Sequence, residues 1–262
     1  DSIVNGVSRI GRMAGGSGAL WDDREMAEVF LAEAKRFVAD HSDQPFFLYY
    51  ALHQPHVPRI ASKRFEGATE HGPRGDVIVE MDWCVGQMLD FLDQQGLAND
   101  TLVIFTSDNG PVLDDGYHDQ AVQRNGDHRI AGPLRGSKYS LYDGGTRVPT
   151  IAAWPGHVPE GVESDALLCQ VDLLASLAAL AGASLPERAG PDSLNHLDGW
   201  LGRSDAGRRE LVAEGISRTR LLREGSWTMI PPHEGAFMDT NKNVELGKMP
   251  EPQLYDLSED IG

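Results

Sequence analysis

One stretch constrains this chain more than any other. Thr101-Leu102-Val103-Ile104-Phe105-Thr106 is dominated by apolar and β-branched residues and stops abruptly at Ser107-Asp108-Asn109-Gly110-Pro111. An uninterrupted apolar strand suits a sheet covered on both faces, so the run points to an α/β fold. In open α/β sheets, ligands bind beyond the carboxyl ends of strands. The residues placed there have two readings. Asp-Asn-Gly is strong turn chemistry, and a carboxylate beside an amide oxygen also suits a hard cation such as Ca²⁺ or Mg²⁺.

The flanking pattern supplies the rest of an α/β organisation. From Trp21 the spacing of Ala27, Phe30, Ala34 and Phe37 predicts a helix opened by Asp22 or Asp23. Phe46 to Ala51, bounded by Pro45 and Pro55, reads as a buried strand. Asp76 to Gln95 reads as a second helix, with Val77, Met81, Val85, Met88, Leu89 and Leu92 inward and Gly96 as its stop. A long glycine-bearing loop follows, then a strand over Thr150–Trp154 and a helix over Gln170–Ala181. Short candidate strands at Leu211–Ala213, Thr219–Arg223, Ser226–Ile230 and Gln253–Leu257 predict a small antiparallel subdomain. The expected division is therefore residues 1–207, an α/β region with a central mixed sheet flanked by helices, and residues 208–262, the antiparallel subdomain. Residues 1–20 are rich in Gly and Ser and read as a loop.

Composition closes off several classes. In 262 residues, 23 Lys and Arg face 40 Asp and Glu, a formal net charge of −17. That sign argues against nucleic acid, where each phosphate contact needs a cation. The longest apolar run, Phe46 to Leu52, falls far short of the ~18–20 residues of a membrane span. Cys84 and Cys169 form neither a disulfide framework nor a paired metal-ligand spacing.

Two further islands carry chemistry. His53-Gln54-Pro55-His56-Val57-Pro58 puts two imidazoles on a proline-stiffened loop. They are either surface histidines on a turn or a pair that binds an oxyanion and protonates a leaving group. Arg135-Gly136-Ser137-Lys138 and Asp143-Gly144-Gly145-Thr146-Arg147 combine glycines, which let backbone approach a ligand closely, with a point charge at Lys138. The alternative for Lys138 is a solvated loop charge. Phosphate-loop spacing is absent.

Four motifs in order carry a resemblance. Pro45–Pro58, Thr101–Pro111, Gly132–Lys138 and Asp143–Pro149 resemble the formylglycine-dependent sulfatases of the alkaline-phosphatase-like superfamily. The likeness continues through Trp154-Pro155-Gly156, Val171-Asp172-Leu173-Leu174 and Leu254-Tyr255-Asp256-Leu257. It implies a sulfuric ester hydrolase of arylsulfatase type acting on a sulfate ester, carried by a small molecule or a glycan. It also implies Ca²⁺, with Mg²⁺ second, held in part by Asp108 and Asn109. His56 matches the family's sulfate-contacting histidine and proton donor, and Lys138 the lysine that grips sulfate oxygens. His53 and Arg135 stand beside them as substrate-binding candidates. Asp143 stands where the family usually has Glu, and Arg147 looks like a structural element of its loop. The resemblance further implies export to the periplasm or beyond.

The large departure is the nucleophile. The family places an Asp-Asp pair at a strand end, followed by Cys/Ser-x-Pro-x-Arg. Asp22-Asp23 opens a helix instead, and neither Cys84 nor Cys169 has that context. Ser184-Leu185-Pro186-Glu187-Arg188 fits the string but lies far downstream, in the loop after a helix. The sequence opens on Asp1-Ser2-Ile3 without an initiator Met. It therefore reads as the carboxyl-terminal part of a sulfatase whose formylglycine lies on a missing amino-terminal segment needed to complete the site. Three expectations follow from that reading: weak Ca²⁺ binding, exposed apolar sheet surface, and no turnover by this chain alone. A phosphatase or phosphotransferase of the same superfamily, with His118, His128, Asp114 and Asp115 as ligands for two metals, and a non-catalytic remnant of the fold are the alternatives.

Overall fold

The computed structural model describes residues 22–262. The expected loop over residues 1–20 and the helix start at Trp21 lie outside them. The chain divides into two compact units, one running to Ala98 and including Leu113–His128, the other comprising Asn99–Val112 and Arg129–Gly262.

The first unit rests on two helices. Helix α1 spans Met26–Asp40. It begins later than the acidic pair: Asp22 forms a turn ahead of it, accepting from Glu25 N through its carbonyl (3.0 Å) and from Arg24 N through its carboxylate (2.9 Å). Its buried face is Ala27, Leu31, Ala34 and Val38, and Phe30 is 42% exposed. Both that stripe and the expected one, with Phe30 and Phe37, have helical spacing. Packing decides between them, because Ala27 and Leu31 form one cluster with Cys84.

Helix α2, Pro73–Gln94, starts three residues before the expected Asp76. Pro73 stands in its first turn, where a missing N–H costs nothing. Asp76 reaches back to accept from Gly67 N and Thr69 N, each at 2.9 Å. The inward stripe runs Val77, Glu80, Cys84 and Leu92, while Leu89 is 42% exposed.

Between the helices, Phe46–Ala51 joins no strand ladder among the described residues. Phe47 and Tyr49 are 73% and 81% exposed, so the expected buried strand is neither paired nor buried among the described residues. Its side chains alternate as a strand's do, Phe46, Leu48 and Tyr50 being the half-buried set.

In the second unit, β1 (Val103–Thr106) pairs antiparallel with β2 (Thr150–Ala153), Val103 opposite Ala153 and Thr106 opposite Thr150. Among the described residues this sheet has two strands, so β1 is half-buried rather than enclosed on both faces, and Ile151 is exposed. The loop between them crosses from one unit to the other and back. It holds two single-turn helices, α3 (Ala121–Arg124) in the first unit and α4 (Asp143–Thr146) in the second. A 3-10 turn over Gln170–Asp172 leads into α5 (Leu173–Leu180), and α6 (Leu197–Trp200) follows.

Four strands then form one antiparallel sheet ordered β3-β4-β5-β8: Glu210–Glu214, Arg220–Glu224, Trp227–Ile230 and Gln253–Asp256. The expected boundary at residues 207/208 falls just before β3. A hairpin of β6 (Met238–Asp239) and β7 (Val244–Glu245) interrupts the run. Leu221 and Ile230 of this sheet bury against Leu141 and Tyr142, which precede α4. Each such fully buried aliphatic side chain stabilises by about 1.5–3 kcal/mol, so the sheet anchors the glycine-rich loop firmly. Among the described residues no helix is long and apolar enough to cross a membrane.

Candidate active site

The second unit carries its candidate residues on three backbone segments. Asp108 and Asn109 follow β1 directly, Asp108 exposed and Asn109 half-buried. Gly110 N donates to Gly145 O (2.9 Å), Lys138 N to Pro111 O (2.8 Å) and Gly144 N to Arg135 O (2.8 Å). These three bonds tie the strand end, the Gly-Ser-Lys loop and α4 into one body. The approach demands glycine: a Cβ on Gly110 would lie 1.8 Å from Gly144 O, and one on Gly144 would lie 2.4 Å from Gly136 O. Gly110→Ala is therefore expected to push the loops apart, with overpacking costing ~1–3 kcal/mol. Thermal unfolding of the variant checks this, and an unchanged midpoint contradicts it.

Lys138 is half-buried, and its ammonium lies 5.3 Å from the Tyr139 ring centre. Tyr139 has φ +79°, a left-handed conformation that a non-glycine residue adopts only when its surroundings enforce it. Lys242, from the β6–β7 hairpin, approaches the same ring at 5.2 Å, and its charge is matched by Asp239 at 3.0 Å. Arg135 is partly committed. Its Nε donates to Glu245 at 2.7 Å and its guanidinium stacks over Tyr142 at 4.2 Å. Asp143 is buried and faces Arg223 (3.4 Å) and Arg147 (3.7 Å), an arrangement that fixes the turn.

The first unit holds the histidine loop. His56 is exposed, and its Nδ1 lies 2.7 Å from Val57 O. A carbonyl only accepts, so Nδ1 carries hydrogen and Nε2 is the ring position left for proton exchange with a ligand. Burial holds the His53 imidazole below the ordinary histidine range; the charges of Glu80 and Asp23 oppose this and that of His56 adds to it. His53 is thereby biased towards the neutral form at neutral pH, where it offers hydrogen bonds rather than charge.

The loop between and around these rings is held by buried ions. Glu80, 1% exposed, accepts from Gln54 Nε2 at 3.2 Å and from Ser62 N at 3.0 Å. Arg59 donates to Pro55 O (3.2 Å), Leu113 O (3.2 Å) and Asp119 (2.8 Å). Asp119 thus serves structure, and its other oxygen accepts from Ala121 N (3.0 Å). Sequence reasoning missed Glu80 and Arg59. Glu80 had left a signal: it interrupts an apolar stripe at helical spacing between Val77 and Cys84.

For a hard cation the donors fit in kind. Asn109 Nδ2 donates to Gly110 O (2.9 Å), so the amide nitrogen, not its oxygen, is used by that bond. Two oxygens fall short of the ~6–8 that Ca²⁺ takes. Among the described residues no group of three or more His, Cys, Asp or Glu is placed to hold a metal ion. Each unit's share of the candidate residues is thus well defined: Asp108, Asn109, Arg135 and Lys138 in the second, His53 and His56 in the first.

Comparison with known proteins gives a consistent answer. The family model described as "Sulfatase" matches residues 10–183. The chain is 44% identical to N-acetylgalactosamine-6-O-sulfatase of Bacteroides thetaiotaomicron over 99% of its own length and 51% of that protein's. It is 35% identical to human arylsulfatase A over 89% of its length and 46% of that protein's. A solved Bacteroides thetaiotaomicron structure, described under metabolism of multiple glycosaminoglycans, superposes with a TM-score of 0.95 at 44% identity, covering 98% of this chain and 54% of that one. A Pseudoalteromonas sulfatase, at 24% identity, shares the fold with a TM-score of 0.77 over 90% of this chain and 47% of that one. The chain spans about half the length of these relatives.

Proposed function

The chain belongs to the sulfatase family, and from that premise we propose that it supplies part of the active site of a sulfuric ester hydrolase acting on sulfated carbohydrate. The observation that carries this reading is the backbone tie between the strand end bearing Asp108-Asn109 and the loop bearing Lys138. It puts an anion-binding cation and two hard oxygen donors on one rigid body. The carbohydrate class is supported by the N-acetylgalactosamine-6-O-sulfatase named above.

In this mechanism the Lys138 ammonium binds sulfate oxygens and stabilises the charge they gather as the ester bond breaks. His56, with Nδ1–H held by Val57 O, donates a proton from Nε2 to the departing alcohol oxygen. His53 offers a neutral hydrogen bond beside it. Asp108 and Asn109 would hold Ca²⁺, which would supply positive charge to balance the sulfate. The nucleophile, a formylglycine, is supplied by residues outside these 262, since neither cysteine here has the required context. This chain by itself is then inactive.

The test uses the protein as its gene encodes it, co-produced with a formylglycine-generating enzyme. p-Nitrophenyl sulfate and p-nitrophenyl phosphate are offered in turn, with Ca²⁺ and then with chelator. Hydrolysis of the sulfate, much faster than of the phosphate and lost with chelator, is the expected result. Preferential hydrolysis of the phosphate overturns the reading.

A further inference from the structure

The least expected group in the first unit is a carboxylate sealed in the core. Glu80 sits in the apolar stripe of α2 between Val77 and Cys84 and is 1% exposed. A buried charge is expensive unless its lone pairs are used, so its presence asks for a reason. Both of its oxygens are used on one target. Oε2 accepts from the Gln54 side chain and Oε1 from the backbone of Ser62, residues that bracket His56. The histidine loop is thus pinned on either side of the imidazole by a single side chain.

We propose that Glu80 is the positioning residue for the His53–His56 pair: its hold on Gln54 and Ser62 fixes where His56 presents Nε2. The same carboxylate acts on the His53 imidazole through its charge. This rests on the sulfatase reading for its catalytic consequence, but its physical content stands apart from that reading. The groups that face His53 are Glu80 from α2, Asp23 ahead of α1, the Phe30 ring from α1 at 6.4 Å and His56 in its own loop. Glu80 is the leading charge opposing the effect of burial on that imidazole.

Geometry also supplies a variant that separates the two roles. Gln54 Oε1 is buried and has no hydrogen-bond partner among the described residues. In Glu80→Gln, a flipped Gln54 amide accepts from the new Nε2–H while the remaining Oε1 still accepts from Ser62 N. The clamp survives and the charge is gone. Glu80→Ala removes both.

Two readouts, taken on the protein as encoded, keep failures apart. In the first, NMR titration follows the His53 and His56 ring signals. His53 is expected to titrate at lower pH in both variants, because the loss of a nearby negative charge disfavours the imidazolium. In the second, turnover of p-nitrophenyl sulfate is expected to fall ~10–100-fold in kcat for Glu80→Ala with KM little changed, as a displacement of about 1 Å costs ~10²-fold. Glu80→Gln is expected to recover most of that loss. If Glu80→Ala does not fold, Gln54→Ala, which removes one arm of the clamp, takes its place and is expected to lower kcat in the same sense. An unshifted His53 in a folded Glu80→Gln overturns the proposal. So does an equal kcat loss in both variants. A wild-type protein that cleaves no sulfate ester sinks the sulfatase reading, while the titration still judges the action of the Glu80 charge on His53.

Discussion

Lys138→Ala and His56→Ala are each expected to lower sulfate-ester turnover by two or more orders of magnitude in the complete protein. For Lys138 the effect comes from removing a preorganised charge where the reacting group gains negative charge, which costs ~10²–10³-fold. Tyr139, held at φ +79°, and the backbone bond from Lys138 N to Pro111 O keep that ammonium on a rigid support, so a shifted neighbour is poorly placed to replace it. Lys242 lies against the same Tyr139 ring but is engaged by Asp239. For His56 the loss is that of a general acid, ~10²–10⁴-fold. The two variants differ in a way that tests the assignment. An aryl sulfate with an acidic leaving group needs little protonation, so His56→Ala should be milder on p-nitrophenyl sulfate than on a sugar sulfate. Lys138→Ala should damage both alike, because it acts on the sulfate end. Steady-state kinetics on the two substrates reads this directly. Equal losses for His56→Ala on both substrates would remove it from the proton-donor role.

The second large effect concerns stability. Asp172→Ala is expected to destabilise the second unit by about 3–5 kcal/mol, the cost of stranding one member of a buried ion pair. Asp172 is 0% exposed at the start of α5. Its carboxylate accepts from Arg208 Nε (2.7 Å), Arg208 Nη2 (2.6 Å) and Leu194 N (2.7 Å). One side chain therefore joins α5, the loop before α6 and the approach to β3. Burial pushes the Asp172 carboxyl up, but the Arg208 and Leu194 hydrogen bonds more than reverse this, and it lies below the ordinary carboxylate value of 3.8. The unfolded chain thus binds the proton first as pH falls. The stabilisation is complete above that ordinary value and is lost as pH drops through the lower, folded one. Urea unfolding at neutral and at acid pH checks both points. Asp172→Ala should lose stability at neutral pH and show a flatter decline in acid; a variant as stable as the parent at neutral pH contradicts the account.

Much of this architecture was legible in the sequence where local signals and packing agreed. The strands of the four-stranded sheet fall within a residue or two of their expected bounds. Leu221 and Ile230 are buried apolar positions of β4 and β5, and Gly225, at φ +59°, supplies the turn between the two strands. The helices were legible as helices but not in their facing. In α1 two apolar stripes of equal spacing compete, and only contact with Cys84 selects Leu31 over Phe30. Phe46–Ala51 misled for a related reason. Apolar composition announces a strand, yet a ladder and burial depend on what lies alongside, which local sequence does not contain.

The site divides the same way. Turn chemistry and glycines marked the loops that bear Asp108, Asn109 and Lys138, and those loops meet through backbone bonds. The clamp on the histidine loop was not legible in this way. Glu80 serves Gln54 across 26 residues of chain, and Arg59 reaches Asp119 across 60. Such long-range partners are invisible to periodicity, although a charged residue in an apolar stripe marks the place to look.

The most direct test of the central claim is inorganic sulfate released from N-acetylgalactosamine 6-sulfate by the formylglycine-bearing protein, followed by ion chromatography beside its Lys138→Ala variant. The account predicts many turnovers of sulfate per protein for the parent and at least ~10²-fold less for the variant. No release from this sugar or from an aryl sulfate by the folded parent, or undiminished release by Lys138→Ala, would contradict it.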